Sequence, residues 1–428
     1  MNETIFALSS GQPPAAIGVI RISGPDALAA VEALAGKLPL PRRASLRTLR
    51  AGTTHLDRAL VLIFPGPATA TGEDLAELHL HGGRAVVRGV EAALAEMPGL
   101  RNAEAGEFTR RALANGRIDL TEAEGLADLL AAETEAQRRA ALRAAEGGVR
   151  QRIEGWATRT LQLSAAVEAL LDHADEDDVE ESGMLDRVRD GSRALAEEIE
   201  AVLAEPGVER LRDGIRVVLA GPPNAGKSTL LNALAEREAA IVSPLAGTTR
   251  DRIEAPVMRD GMAFLLTDTA GLHDAPSDMV EEIGIARAQE ALDHADLILW
   301  LDDAPPPIPG PVHILVHPRA DEIGREAIPA GRLGVSARTG AGIAALWQDI
   351  AARAQLLLPA GDAIPLNRRQ RDLAALASVA LRSAEAGVDP LLVAEDLRHA
   401  LRAFDRITGA ADVEAMLDTL FGRFCIGK

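Results

Sequence analysis

The chain has 428 residues, of which 47% are hydrophobic and 25% charged, a length that predicts roughly two to four domains. A net charge of −19 excludes coating of nucleic acid by bulk electrostatics and leaves any such role to a local patch or a partner. With Cys425 as the single cysteine no intramolecular disulfide can form, so a reducing cytoplasm is expected.

The N-terminus lacks a basic segment followed by an apolar one, so no signal peptide is expected. No apolar run approaches the roughly 18 residues of a transmembrane helix, so no membrane association is expected. Residues 1–118 mix short β-like runs at 17–22 and 59–64 with a helical stretch at 85–97, an α+β texture. From 119 to 212 Ala and Leu recur at helical spacing through 120–145, 153–173 and 185–203. The acidic stretch 175–181 reads as a solvated loop between two of these helices.

From 213 to 358 strand and helix signals alternate, as in an open parallel sheet, with strands expected at 215–220, 263–267, 295–301 and 312–316. The proline-rich run 304–311 reads as a short loop, and residues 359–428 return to helical texture. The overall prediction is a multidomain α+β and α/β chain, in which an α/β unit is inserted into a helical domain built from 119–212 and 359–428.

Residues 221–229 read Gly-Pro-Pro-Asn-Ala-Gly-Lys-Ser-Thr, the phosphate-loop pattern, between an expected strand and an expected helix start. Backbone N–H groups of such a turn converge on phosphate oxygens, and the lysine adds a compact charge. Lys37, Lys227 and Lys428 are the only lysines in this arginine-rich chain, which makes a lysine at this position informative. The expected contacts in this loop are Asn224, Ala225, Gly226, Lys227, Ser228 and Thr229.

Four further loops point to GTP. Asp268, Thr269, Ala270 and Gly271 end an expected strand, where Asp268 can hold a metal through water and the Gly271 N–H can sense a γ-phosphate. Gly247, Thr248 and Thr249 lie in a loop that can bring Thr249 to Mg²⁺ beside Ser228. GTPases usually carry Asn-Lys-x-Asp as the guanine-reading loop; here the stretch is Pro318-Arg-Ala-Asp321, which keeps the carboxylate and loses the Asn contact. Ser336, Ala337 and Arg338 follow as the loop that backs the base. GTP is therefore expected over ATP. Leu272 stands where Ras-like GTPases place a water-orienting Gln, so another group must orient the nucleophile.

Thr71-Gly-Glu-Asp74, His81-Gly-Gly83, Gly106-Glu-Phe-Thr109, Asp119-Leu-Thr-Glu-Ala-Glu124 and the terminal Phe424-Cys-Ile-Gly-Lys428 accompany these loops in order. Together they resemble the tRNA modification GTPase family MnmE, also called TrmE, over the whole chain. The resemblance implies an N-terminal folate-binding domain that forms a homodimer, a helical domain, and an inserted Ras-like G domain. It implies a partner flavoprotein of the MnmG type in a heterotetramer. Together the two modify carbon five of the wobble uridine of tRNA with an aminomethyl or carboxymethylaminomethyl group. The one-carbon donor implied is 5-formyl- or methylene-tetrahydrofolate, bound by Arg21, Glu77, Arg117 and Lys428. Arg117 stands where many relatives have Lys, and the 9–14 stretch departs from the family's more glycine-rich loop.

For hydrolysis the resemblance implies a potassium ion held by Asn224, Ser243, Leu245 and Thr248, within a nucleotide-contacting loop that also includes Pro244 and Ala246. A monovalent cation there neutralises transition-state charge as an arginine finger would. Glu281 aligns with the family's water-orienting glutamate, with Glu282 beside it. Two other readings compete. A regulatory GTPase of the ribosome-assembly kind explains 213–358 but not the N-terminal motifs or the tail. A folate-binding module with a decayed G domain fits Pro318 and Arg319 but not the intact Lys227, Ser228, Thr249 and Asp268.

Overall fold

The computed structural model of the chain describes residues 3–172, 181–236, 254–269, 290–307, 312–361, 363, 366–410, 420–422, 424 and 427. The chain divides into two compact units. One comprises Met1–Leu130, Ala144–Arg159 and Leu401–Lys428, and the other Ala131–Arg143 and Thr160–Ala400.

The first unit is built on strands β1 (Thr4–Leu8), β2 (Ile17–Ser23), β3 (Ser45–Ala51), β4 (Thr54–Phe64), β5 (Leu75–His81) and β6 (Leu100–Asn102), in the order β3-β4-β5-β2-β1-β6. All neighbours are antiparallel except β1 and β6. Period-two alternation puts Ile20, Ile22, Leu78 and Val61 on one face, against Val31 and Leu34 of α1 (Ala27–Ala35) and Val87, Val90 and Leu94 of α2 (Arg84–Ala95). Their neighbours in sequence must then face the other way, and Arg21 and Glu77 stand opposite each other there in the β2–β5 register. Helix α3 (Glu107–Ala114) starts at Gly106, whose φ is 68° and where a Cβ would stand 2.7 Å from the Phe421 carbonyl. Leu420, Phe421 and Phe424 pack with Leu120 and Ala123 of α4 (Leu120–Ala131), so the end of the chain closes on this unit.

The helical periodicity across 120–145 predicts one continuous helix, but there are two, α4 and α5 (Glu135–Ala145). Thr134 and Gln137 explain the break. The Gln137 N–H donates to the Thr134 hydroxyl at 3.0 Å, and the Gln137 side-chain oxygen accepts from the Thr134 N–H at 2.8 Å. This reciprocal cap starts a new helix inside an uninterrupted apolar pattern. Helices α6 (Gly148–Asp172) and α7 (Glu181–Ala204) follow close to their expected bounds, and α8 (Glu209–Asp213) leads into the second sheet.

That sheet has the order β12-β11-β10-β7-β9-β8. Its strands are β7 (Ile215–Ala220), β8 (Glu254–Arg259), β9 (Met262–Asp268), β10 (Leu297–Leu301), β11 (His313–His317) and β12 (Leu333–Gly334). Only the β8–β9 pair is antiparallel. The near-continuous apolar runs of β7 and β10 suit strands covered on both faces. Helices α9 (Lys227–Glu236) and α10 (Ile343–Leu357) supply Leu230, Leu234, Leu346, Trp347 and Ile350 to the core around them. The β7–α9 junction sits at the carboxyl edge of the parallel strands, where open α/β sheets bind ligands.

Beyond the sheet, α11 (Arg368–Ala386) opens on a capping box of Asn367 and Gln370 and packs against α7. Arg382 and Ser378 of α11 both donate to Glu200 of α7. The chain before the sheet therefore meets the chain after it. Helix α12 (Pro390–Thr408) completes the described helices, none of which is long and apolar enough to cross a membrane.

Candidate functional site

Two clefts collect the residues singled out in the sequence, one in each unit. In the α/β unit, β7 ends at Ala220 and α9 begins at Lys227, so 221–226 form the connecting loop. Gly221 has φ 147°, and a Cβ there would stand 2.8 Å from the Leu301 carbonyl. Asn224 at φ 61° and Gly226 at φ 92° are left-handed as well, and they turn the chain into the first turn of α9. The free N–H groups of a helix start attract anions.

Lys227 lies beneath this loop, 6% exposed, with Nζ donating to the carbonyls of Gly221 and Pro222 at 3.0 Å each. Burial pushes its ammonium below the usual lysine range, while the charge of Asp268 opposes that shift. The Ser228 hydroxyl donates to Asp268 Oδ2, joining the first turn of α9 to the end of β9. Thr269 is fixed by its own hydroxyl, which donates to the Leu219 carbonyl at 2.9 Å. A hydroxyl and a carboxylate side by side are hard oxygen donors of the kind Mg²⁺ takes.

A cleft of about 320 Å³ continues from the loop, lined by Ala225, Gly226, Thr229, Pro318, Arg319, Asp321, Ala337 and Arg338. Asp321 Oδ2 accepts from Arg338 Nε at 2.8 Å and meets Nη2 at 2.7 Å. A hydrogen bond from Ser336, together with the Arg338 charge, holds the Asp321 carboxyl below the usual range.

In the first unit, Arg21 Nη2 donates to Glu77 Oε1 at 2.9 Å, and His79 Nε2 lies 3.2 Å from the other oxygen. Burial raises the Glu77 pKa, but the bonds from Arg21 and His79 outweigh it and the net shift is downward. Arg21 also lines a cleft of about 430 Å³ with Thr69, Thr71, Phe108, Arg117 and Leu126. Arg117 Nε donates to the Thr69 carbonyl at 3.0 Å. At the tail, the Ser9 hydroxyl donates to the Gly427 carbonyl at 2.7 Å, and Gly427 at φ 103° lies so close to Leu8 that a Cβ would stand 2.3 Å from its carbonyl.

A family model described as the MnmE helical domain matches residues 120–425, and one described as GTP-binding protein TrmE N-terminus matches residues 4–117. The tRNA modification GTPase MnmE of Erythrobacter litoralis is 56% identical over 428 residues, 100% of both chains. That of Sphingopyxis alaskensis is 58% identical over 421 residues, 96% of this chain and 100% of the relative. That of Novosphingobium aromaticivorans is 54% identical over 441 residues, 100% of both chains.

The chain belongs to the MnmE family of tRNA modification GTPases. Within this MnmE-family chain, Asn224, Ala225, Gly226, Lys227, Ser228 and Thr229 occupy the loop and first helical turn, and Asp268 and Thr269 stand beside them. Asp321, Ser336, Ala337 and Arg338 gather at the neighbouring cleft. Ser243, Pro244, Leu245, Ala246, Gly247, Thr248, Thr249, Ala270, Gly271, Leu272, Glu281, Glu282, Cys425 and Lys428 lie outside the described residues.

Several supporting residues were not singled out in the sequence. Arg111, 1% exposed, spans Glu73 at 3.0 Å and Glu107 at 3.1 Å and donates to the Glu3 carbonyl at 2.8 Å. Ser23 donates to Glu73 at 2.8 Å, and Asn115 donates to the Thr71 carbonyl at 2.7 Å. These bonds strap the 69–74 segment that forms one wall of the cleft. Glu73 and Glu107 lie inside the quoted Thr71–Asp74 and Gly106–Thr109 motifs, and this network gives those motifs a physical reason.

Proposed function

We propose that this chain hydrolyses GTP as part of a tRNA modification system. The observation that carries the reading is the hydrogen bond of Ser228 to Asp268, next in sequence to a buried Lys227 that bonds the phosphate-loop carbonyls, in a chain 54–58% identical to MnmE proteins along almost all its length. In the proposed site the phosphate loop and α9 bind the triphosphate, with Lys227 turning from the Gly221 and Pro222 carbonyls to the anionic oxygens. Ser228 and Thr249 are the proposed Mg²⁺ ligands, with Asp268 acting through water. Asp321 receives the N–H groups of guanine, backed by Ser336, Ala337 and Arg338. Mg²⁺ held by Ser228 and Thr249 would supply positive charge to neutralise what builds on the phosphate oxygens.

Potassium stimulation is part of the proposal. Asn224 is the described member of the set, and its left-handed backbone carries its side chain on the turn of the loop. Ser243, Leu245 and Thr248 would complete it, and Glu281 would orient the attacking water in place of a residue at Leu272. The first unit is proposed to bind a formyl- or methylene-tetrahydrofolate through Arg21, Glu77, Arg117 and Lys428. Glu77 supplies a two-oxygen acceptor for a pterin edge, and the cations suit a glutamate tail. The seating of Gly427 against Leu8 and Ser9 supports a tail that reaches this sheet, since Leu8 pairs with Ile20 and Ala7 with Arg21.

We further propose a homodimer, a flavoprotein partner of the MnmG type, and a domain plan of 1–118, 119–212 with 359–428, and an inserted 213–358. The contact of α7 with α11 supports that insertion. Hydrolysis of GTP by the full chain, assayed with Lys227→Met beside the wild type, tests the core of the reading. Turnover unaffected by that substitution would remove the proposed site.

A further inference from the structure

Strand β11 ends at His317, and Pro318 follows it with no side-chain donor to anchor the segment that presents Asp321. Other side chains hold that segment. Arg325 Nε donates to the Pro318 carbonyl at 3.0 Å, and its Nη2 donates to Asp303 Oδ2 at 3.0 Å. Asp303 Oδ1 meets His317 Nδ1 at 2.6 Å, and His317 Nε2 lies 3.0 Å from the Arg325 carbonyl. The three residues thus form a closed ring of bonds between the end of β10, the end of β11 and the 318–325 segment.

The ring is specific in its chemistry. His317 uses both ring nitrogens, Nδ1 facing Asp303 Oδ1 with Arg325 Nη2 3.3 Å away, and Nε2 facing the Arg325 carbonyl. The residue is 2% exposed, and buried polar groups are held by hydrogen bonds. Asp303 bridges His317 and Arg325, and Arg332 fixes its backbone through the carbonyls of Asp303 at 2.9 Å and Ala304 at 3.0 Å. The Arg325 fork serves two acceptors at once, a geometry that a lysine point charge does not reproduce. From this anchor the chain passes through Arg319 at φ 55°, and Ala320 N–H donates to the Val335 carbonyl at 3.0 Å. Asp321 follows directly, in contact with Ser336 and Arg338.

We propose that Asp303, His317 and Arg325 are positioning residues for guanine recognition, and that Arg325 anchors the segment at Pro318, which offers no side-chain donor of its own. This rests on the reading of the chain as a GTPase. Loss of the fork releases the Pro318 carbonyl and widens the range of positions open to Asp321. It therefore weakens nucleotide binding without touching the phosphate loop or the reacting oxygens.

The test uses the full chain and measures GDP and ADP affinity by equilibrium titration, kcat and KM for GTP, and the melting temperature without nucleotide. Arg325→Met is expected to weaken GDP binding about tenfold, since hydrogen bonds to charged groups are lost. KM should rise by a similar factor, with kcat at saturation within twofold of wild type. Arg325→Lys should recover less than half of the loss on a logarithmic scale. Asp303→Asn, nearly isosteric, should weaken GDP binding comparably, and should add less than twofold in the Arg325→Met background because both break the same ring. Arg138→Met, on an exposed ion pair elsewhere, is the control. GDP affinity within twofold of wild type in both Arg325→Met and Asp303→Asn would overturn the proposal. So would a loss that falls equally on kcat and KM and follows the melting temperature, the mark of a merely structural role. A wild-type chain that binds ADP as tightly as GDP would instead overturn the GTPase reading itself, and the proposal with it.

Discussion

Glu107 permits a quantitative test of how the first unit is held. Its side chain is 8% exposed, yet four N–H groups reach it: Arg101 Nη1 at 2.8 Å and Nη2 at 2.6 Å, Arg111 Nη2 at 3.1 Å, and the Glu104 N–H at 2.9 Å. Burial alone would raise its pKa. The hydrogen bonds from Arg101, the Glu104 N–H and Arg111 outweigh burial and bring it from 4.5 to about 2. A shift of that size corresponds to about 3 kcal/mol of folding stability at neutral pH. Because the folded pKa is depressed, the contribution is complete above the unfolded value of 4.5 and is lost as pH falls toward about 2. Glu107→Gln removes the charge at every pH, so it should lower stability by about 3 kcal/mol at pH 7 and flatten the dependence through that window by the share that Glu107 supplies. Amide hydrogen exchange on peptides covering 100–117 of the full chain reads the local opening free energy. Equal pH dependence in wild type and Glu107→Gln would refute the reasoning.

Other sites carry their own predictions. Gly221→Ala combines a φ of 147° with a Cβ 2.8 Å from the Leu301 carbonyl, and should cost about 1–3 kcal/mol and abolish nucleotide binding. A melt and a GDP titration measure both, and an unperturbed variant would contradict the loop geometry. Ser228→Ala and Asp268→Asn should each raise the Mg²⁺ concentration for half-maximal GTP hydrolysis about tenfold or more. A magnesium titration unchanged from wild type would separate this pair from the metal. Glu77→Gln should weaken binding of 5-formyl-tetrahydrofolate about tenfold while leaving GTP turnover unaltered. Fluorescence titration of the full chain checks it, and retained affinity would take Glu77 out of the folate set.

The legible parts of this chain were those whose physics is local. The phosphate loop is nine consecutive residues, and its flanking strand and helix follow from an apolar run and a turn. Strand positions in β2, β4, β7, β9, β10 and β11 could be read for the same reason, since each is an apolar run bounded by turn signals. The break between α4 and α5 was missed because Ala and Leu keep helical spacing across it, while the stop depends on one side-chain cap at Thr134 and Gln137. The supports of both clefts were missed for a different reason. Arg111 meets Glu73 across 38 positions, and Arg325 meets Asp303 across 22, so no local pattern announces either pair. Asp321 and Arg338 were each expected at the nucleotide, and their pairing with each other emerges only when two loops meet at the sheet edge. Pro318 reads as a loss in the sequence, and the ring around Arg325 shows how the fold holds that segment without a side chain there.

The most direct measurement compares hydrolysis of GTP and ATP by the full chain in potassium and in sodium buffers, with magnesium present in all four. The proposed site should turn over GTP well above ATP, and faster in potassium than in sodium. Equal turnover of ATP and GTP, or GTP turnover indifferent to the cation, would contradict it.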